Sequence, residues 1–312
     1  MSTLAPNHLF GPVPSRRLGV SLGVDLVPHK TCTLNCVYCE CGATSRLTTR
    51  RAEYVPTANV LAELDDYLGR RPSLDHVTFS GSGEPTLHSG LGLVARHIHD
   101  RHPGYRTALL TNGTLFHLPD VRADAMEVDL VCASIDAVTA DVFQALNRPA
   151  PGLSPDQMTT GLESFARNYG GELLIEVFVA AGINDSPEEI ARIREAVDAI
   201  GPHRVQLNTL DRPGTEAGVQ PVGAKRLLEI ARELGGAEIL ADTTARVRDG
   251  DGGDPRERIM ATIRRRPCTV EDMARFLGLD EKCVRAHVEE LTNEEKIVSQ
   301  RLPRGVFHRA VR

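Results

Sequence analysis

Three cysteines carry the clearest chemistry in this chain. Cys32, Cys36 and Cys39 sit in the segment Cys32-Thr33-Leu34-Asn35-Cys36-Val37-Tyr38-Cys39, with spacing C-x3-C-x2-C. Three thiolates on one tight loop can wrap a face of a [4Fe–4S] cluster. Such a cubane has four irons, so three cysteines leave one iron open to a small chelating ligand. A structural zinc ion is the competing occupant. It needs a fourth Cys or His to close its tetrahedron, and Cys41 is close enough in sequence to supply one. The chain has 312 residues and seven cysteines, and its N-terminus, MSTLAPNHLF, lacks the charged and apolar regions of a signal peptide. It therefore reads as cytoplasmic, where thiols stay reduced and clustered cysteines mean metal or catalysis before disulfides.

Other polar residues fall where a repeated scaffold would present them. Apolar runs occur at Leu18–Val27, Leu74–Phe79, Tyr105–Leu110, Val128–Ile135, Leu173–Val179 and Arg204–Leu207. Amphipathic stretches lie between them. Val60, Leu61, Leu64 and Leu68 recur at helical spacing after Pro56-Thr57, and Ile190, Ile193 and Val197 do so after the capping sequence Asp185-Ser186-Pro187. Strands alternating with helices predict an α/β fold with a parallel sheet. Six such units in about 240 residues suit a partial (β/α)6 barrel, with an open doubly wound sheet as the alternative. The cysteine loop then follows the first strand. Ser80-Gly81-Ser82-Gly83-Glu84-Pro85 follows the second, Thr111-Asn112-Gly113 ends the third, Ser134 and Asp136 end the fourth, and Asn208 ends the sixth. Barrel enzymes place their working groups at these ends. Glu176, inside the fifth strand, points into a barrel pocket or pairs with an arginine. Arg16-Arg17 precedes the first strand, either as a solvated pair or as a guanidinium fork for a ligand carboxylate or phosphate.

The last segment differs from the rest. DGDGGD within residues 241–254 reads as a linker between a domain at 1–240 and another at 255–312. Helical patterns at Glu257–Arg265, Val270–Leu277 and Glu281–Asn293, followed by a short hairpin, suggest a small C-terminal winged-helix domain. The chain's net charge is -6, yet residues 255–312 hold 13 Lys+Arg against 9 Asp+Glu, leaving 23 against 33 in the rest. A basic tail on an acidic body mildly favours an anionic partner. No run of about 18 apolar residues occurs, so no membrane partner is expected.

The cysteine spacing, with the aromatic Tyr38 before the last cysteine, resembles the signature of the radical SAM superfamily, over roughly residues 10–215. In that family the open iron binds the amino and carboxylate groups of S-adenosylmethionine (SAM). An electron from the cluster breaks a sulfur–carbon bond to give methionine and a 5′-deoxyadenosyl radical, which abstracts hydrogen from a substrate. The resemblance implies a [4Fe–4S] cluster and SAM as cofactors, a partial barrel of the radical SAM type, and an electron donor such as flavodoxin or ferredoxin. It puts Tyr38 by the adenine and matches Ser80, Gly81, Gly83 and Glu84 to the GGEP segment that binds the SAM amino group. Ser82 stands where a Gly is usual. Asn112, Ser134, Asp136 and Asn208 complete the expected SAM contacts. Cys41 is the candidate catalytic thiol, as ligand, hydrogen donor or radical partner. Gly11–Cys39 and GSGEPTLHSG resemble a subgroup related to wyosine-base-forming enzymes, which modify a guanine in tRNA. RNA recognised through the tail is the first substrate reading, and a peptide or protein the second. An iron–sulfur sensor binding DNA through the tail is a third, but it needs neither the Glu84 loop nor six strands.

Overall fold

The computed structural model describes residues 8–240, 254–302 and 304–311; the linker expected at 241–254 lies outside the described residues but for Asp254. The chain begins with two strands, β1 (Leu9–Ser15) and β2 (Gly19–Val24). The cysteine loop follows, with a short pair β3 (Thr31–Cys32) and β4 (Arg46–Leu47), then α1 (Thr57–Gly69). Strand–helix units come next: β5 (His76–Phe79) with α2 (Leu91–Arg101), β6 (Arg106–Thr111) with α3 (Pro119–Ala125), and β7 (Leu130–Ser134) with α4 (Ala140–Leu146) and α5 (Pro155–Ala166). They continue as β8 (Glu172–Val179) with α6 (Pro187–Ile200), and β9 (Arg204–Thr209) with α7 (Ala224–Glu233) and β10 (Glu238–Ile239).

The main sheet runs β1-β2-β5-β6-β7-β8-β9-β10. From β2 onward every pairing is parallel and sequential. A doubly wound sheet would reverse its strand order part-way; this one does not, so it curls as a partial barrel. The six expected strands are all present, and two more extend the sheet. One is β10. The other is β1, an antiparallel edge strand through Pro12 and Pro14, which the prolines had disguised. Edge strands tolerate proline because one side of the ladder is unused.

Strand alternation sorts the side chains. Val24, Val77, Phe79, Leu109, Val131, Ile175, Val177 and Leu207 face outward into the main core beneath the helices. Their neighbours face the concave side, where a small apolar cluster of Leu18, Ala108, Leu130, Cys132 and Leu174 closes one end. Helix starts follow the sequence. Ser154 and Ser186 each accept a hydrogen bond from the backbone N–H three residues on, with proline in the first turn, and Gly201 ends α6 in the left-handed conformation. Buried Glu189 on α6 accepts from Val138 N, Thr139 N and the Thr139 hydroxyl, pinning that helix to the loop after β7.

The tail folds as α8 (Pro255–Arg265), α9 (Val270–Leu277), α10 (Glu281–Asn293) and the hairpin β11 (Ile297–Leu302) with β12 (Gly305–Ala310). It has its own core, including Ile259, Ile263, Met273, Phe276, Val284 and Leu291. It is nevertheless bolted to the barrel. Arg212 donates to Asp272 at 3.0 Å and to the Pro267 carbonyl at 2.8 Å. Arg304 reaches back to Asp211 at 2.9 Å and to Asp272 at 2.8 Å, and Arg265 pairs with Asp25 beside β2. No described helix is long and apolar enough to cross a membrane.

Candidate active site

The cysteine loop is held from below by the end of α4. Asn35 N donates to the Asn147 carbonyl and Val37 N to the Leu146 carbonyl, both at 3.0 Å. Leu34, Ala137 and Phe143 pack around Cys32 and Cys36. Each of the three expected ligands receives an N–H donor. The Lys30 ammonium lies 3.0 Å from Cys39 Sγ, Asn147 Nδ2 3.4 Å from Cys36 Sγ, and Asn112 Nδ2 and Leu34 N lie 3.6 and 3.5 Å from Cys32 Sγ. Cys41 is different: its thiol donates to the Gly81 carbonyl at 3.7 Å.

Electrostatics separates the sulfurs further. Burial, with the Glu84 charge behind it, pushes Cys32 up to about 12, and burial beside Cys39 raises Cys36. A hydrogen bond from Cys41, and the Lys30 ammonium acting against burial, hold Cys39 well below the usual thiol range. Burial opposes the charge on Lys30, but the Cys39 sulfur outweighs it and raises the lysine. An anionic body held by these sulfurs would suit the donors around it, since N–H bonds to cluster sulfurs are a means of tuning. A single zinc ion does not fit. Among the described residues, the one trio of possible ligand atoms within 4.8 Å of one another is Asp65, His97 and His102, on α1 and α2. No three cysteines close up as a tetrahedral site requires.

The Ser80–Pro85 loop is stitched to the cysteine loop by backbone bonds, Lys30 N to the Ser82 carbonyl at 2.8 Å and Glu84 N to the Thr31 carbonyl at 3.0 Å. Its glycines serve that seam. A Cβ on Gly81, whose φ is +123°, would lie 2.0 Å from the Asp25 carboxylate, and one on Gly83 would lie 2.2 Å from the Thr31 carbonyl. Glu84, expected to face a ligand ammonium, is only 2% exposed and turns inward. It accepts from Thr86 N at 3.1 Å, the Thr86 hydroxyl at 2.6 Å, the Thr111 hydroxyl at 2.7 Å and Asn112 N at 2.8 Å. It is a strut between two strand-end loops, and burial raises its pKa.

The other strand-end residues divide into two groups. Asp136 is 4% exposed, and its carboxylate is taken up by the Tyr38 hydroxyl, Asn147 Nδ2 and Phe178 N. Tyr38 stacks on Phe178 with ring centroids 3.8 Å apart. Asp136 thus fixes the aromatic that precedes the last cysteine. Tyr38, Cys39, Cys41, Ser80, Gly81 and Asn208 line the cavity; Cys32, Cys36, Gly83, Glu84, Asn112, Ser134 and Asp136 are not among its lining residues. Arg17 and Glu176 resolve together. They form an ion pair across the concave face, and Asn208 Nδ2 sits 3.5 Å from the same carboxylate. Sequence reasoning missed Lys30 and Asn147. Lys30 had one signal, its place two residues ahead of Cys32; Asn147 had none.

This cavity has a volume of about 720 Å³ and reaches from the cysteine loop to the tail, with Arg258, Thr262, Arg265, Arg266 and Phe276 in its roof. The tail is therefore a wall of the site. The radical SAM superfamily model matches residues 26–197, more than half of the chain.

The chain belongs to the radical SAM superfamily.

It is an enzyme of that class, and its cofactors are a [4Fe–4S] cluster and SAM. Among relatives, a UPF0026 protein of Helicobacter pylori is 31% identical over 94% of both chains. A protein named GTPase Obg from Brachyspira hyodysenteriae is 33% identical over 99% of this chain, which spans 46% of its length. A dual-specificity RNA methyltransferase RlmN from an Anaeromyxobacter species is 27% identical over 83% of this chain and 72% of its own. The crystal structure of a radical SAM methyltransferase from Sphaerobacter thermophilus matches the fold with TM-score 0.52 at 18% identity, over 70% of this chain and 65% of that one.

Proposed function

We propose that this chain binds a [4Fe–4S] cluster on Cys32, Cys36 and Cys39 and cleaves SAM reductively, with the substrate held in the roofed cavity. The observation that carries this is the set of N–H donors, one or more at each of the three sulfurs and from three separate segments. A [4Fe–4S] cluster held by Cys32, Cys36 and Cys39 would supply the one-electron reduction of SAM at this site. The chain's own residues do the rest. Leu34, Ala137 and Phe143 keep water from the inner sulfurs. Lys30, Asn112 and Asn147 orient and stabilise thiolates. Asp136 and Phe178 lock Tyr38 at the cavity edge, where the adenine is expected. The Glu84 strut sets the seam between the two loops. Cys41 lines the same cavity and is the candidate thiol partner for a substrate.

A second reading has support of its own. The relatives named as RNA methyltransferases and the basic balance of the tail both favour RNA as substrate, met through a winged-helix tail. The first test is common to both. Anaerobic, reconstituted and reduced protein should convert SAM slowly to 5′-deoxyadenosine, measured by chromatography. Product no greater than that of the Cys32→Ala chain refutes the proposal.

A further inference from the structure

The charge of the cavity lining is lopsided. Seven arginines face three carboxylates, Glu40, Glu176 and Asp211. Four of the seven are engaged with acids: Arg17 with Glu176, Arg265 with Asp25, and Arg212 and Arg275 with Asp272. The other three, Arg16, Arg258 and Arg266, have no carboxylate partner among the described residues. Two of these come together at the end of α9. Arg258 donates to the Leu277 carbonyl at 2.7 Å, and the Arg266 guanidinium lies 4.7 Å from the centre of the Phe276 ring. A guanidinium stacked on an aromatic face keeps its N–H edge free for a planar acid. Arg16, also on the lining, directly follows β1.

The outer face of the tail is unlike this. On α10, the exposed Glu281, Glu289 and Glu290 outnumber Lys282 and Arg285, and Arg285 lies 3.9 Å from Glu281. A helix of that charge is a poor track for a phosphate backbone, which is held by rows of uncommitted cations. Arg264, Arg301 and Arg309 are exposed elsewhere on the tail, while Arg258, Arg265, Arg266 and Arg275 line the cavity. Its volume of about 720 Å³ falls in the range of small-molecule sites, about 300–1,000 Å³.

We propose that the substrate is a small acid, phosphorylated or carboxylated, whose anionic group docks on the uncommitted arginines of this lining, Arg258, Arg266 and Arg16, and whose carbon skeleton reaches toward Cys41. This deepens the first reading of the proposed function, competes with the RNA reading, and rests on the former only for the cluster below. The test is calorimetric titration of the full, cluster-loaded chain with SAM present. Inorganic pyrophosphate and citrate are the two probes, and separate the phosphate from the carboxylate form. At least one should bind, and Arg258→Gln and Arg266→Gln should each weaken it about tenfold or more, the loss expected for a charge-assisted hydrogen bond. Arg16→Gln, which loses no ion pair, gives the same reading if the α8 variants do not fold. Failure of both probes to bind the wild-type chain overturns the proposal. So does equal binding by wild type and variants. So does total tRNA binding equally well to wild type and all three variants, with the steep salt dependence of a polyanion. SAM cleavage by the wild-type chain is assayed separately: a chain that binds the probe but yields no 5′-deoxyadenosine keeps this inference and loses the function above.

Discussion

The floor and the roof of the cavity treat charge in opposite ways. On the floor, buried polar groups are committed to one another. Glu84 accepts four hydrogen bonds, the Asp136 carboxylate accepts three, and Cys32, Cys36 and Cys39 each have an N–H donor. On the roof, cations exceed acids, and Arg258 and Arg266 make only carbonyl and ring contacts. A floor of that kind holds geometry, because a buried polar group left unpaired costs free energy. A roof of the other kind keeps donors for something outside the chain. Between them, Asp272 acts as the bolt, 1% exposed and shared by Arg212, Arg275 and Arg304.

The largest effect should come from the floor. Cys32→Ala, Cys36→Ala and Cys39→Ala should each abolish cluster retention, while Cys41→Ala keeps it. Iron and acid-labile sulfide assays decide, and full retention in the first three would erase the distinction between Cys41 and the other cysteines. Next is the bolt. Asp272→Ala takes the shared acid from Arg212, Arg275 and Arg304 and leaves buried Arg212 with only the longer contacts to Glu40 and Asp211, a loss of about 3 kcal/mol, read as a lower urea midpoint. If the midpoint does not move, floor and roof are not joined there.

Glu84→Ala should follow, at about 3 kcal/mol because several buried donors lose their acceptor at once. SAM affinity should fall more than iron content, since the strut aligns the Ser80–Pro85 loop and holds no sulfur. Equal losses of both would merge the two loops into one unit. The bolt should also show in pH. Burial works against the Asp272 charge, but the hydrogen bond from Arg304 and the charges of Arg212 and Arg304 hold it well below the usual carboxylate range. A carboxylate with a depressed folded pKa stabilises fully above its unfolded value of about 4, and loses that contribution as pH falls further. The cluster-free chain should lose about 2 kcal/mol from this group between about pH 5 and pH 2. The part of that slope due to Asp272 should vanish in Asp272→Asn. The smallest effect is expected from Lys30→Met, which removes a cation 3.0 Å from Cys39 Sγ, a proposed cluster ligand. The reduced state gains negative charge, so spectroelectrochemistry should find a more negative potential. An unchanged potential would mean that Lys30 only packs.

Sequence alone determined the parts of this protein that are local. The cysteine loop is legible because the C-x3-C-x2-C spacing brings three thiols together within eight residues. Six strands and their helices are legible because apolar runs and 3.6-residue patterns are written by neighbours in sequence. The Ser186 cap and the Gly201 stop depend on backbone geometry a few residues long. Tertiary structure decided the rest. Asn147 reaches Cys36 from 111 residues away, and Arg265 reaches Asp25 from 240. No spacing rule encodes such pairs, because they exist only once the sheet curls and the tail docks. The sequence marked Glu84 as a ligand acceptor; folding turned it inward, where two loops needed a common acceptor more than they needed an exposed charge. The basic tail was visible as a count of arginines, but a count has no direction. Whether those cations face solvent or a cavity depends on which side of α8 packs against the barrel, and only the folded chain fixes that.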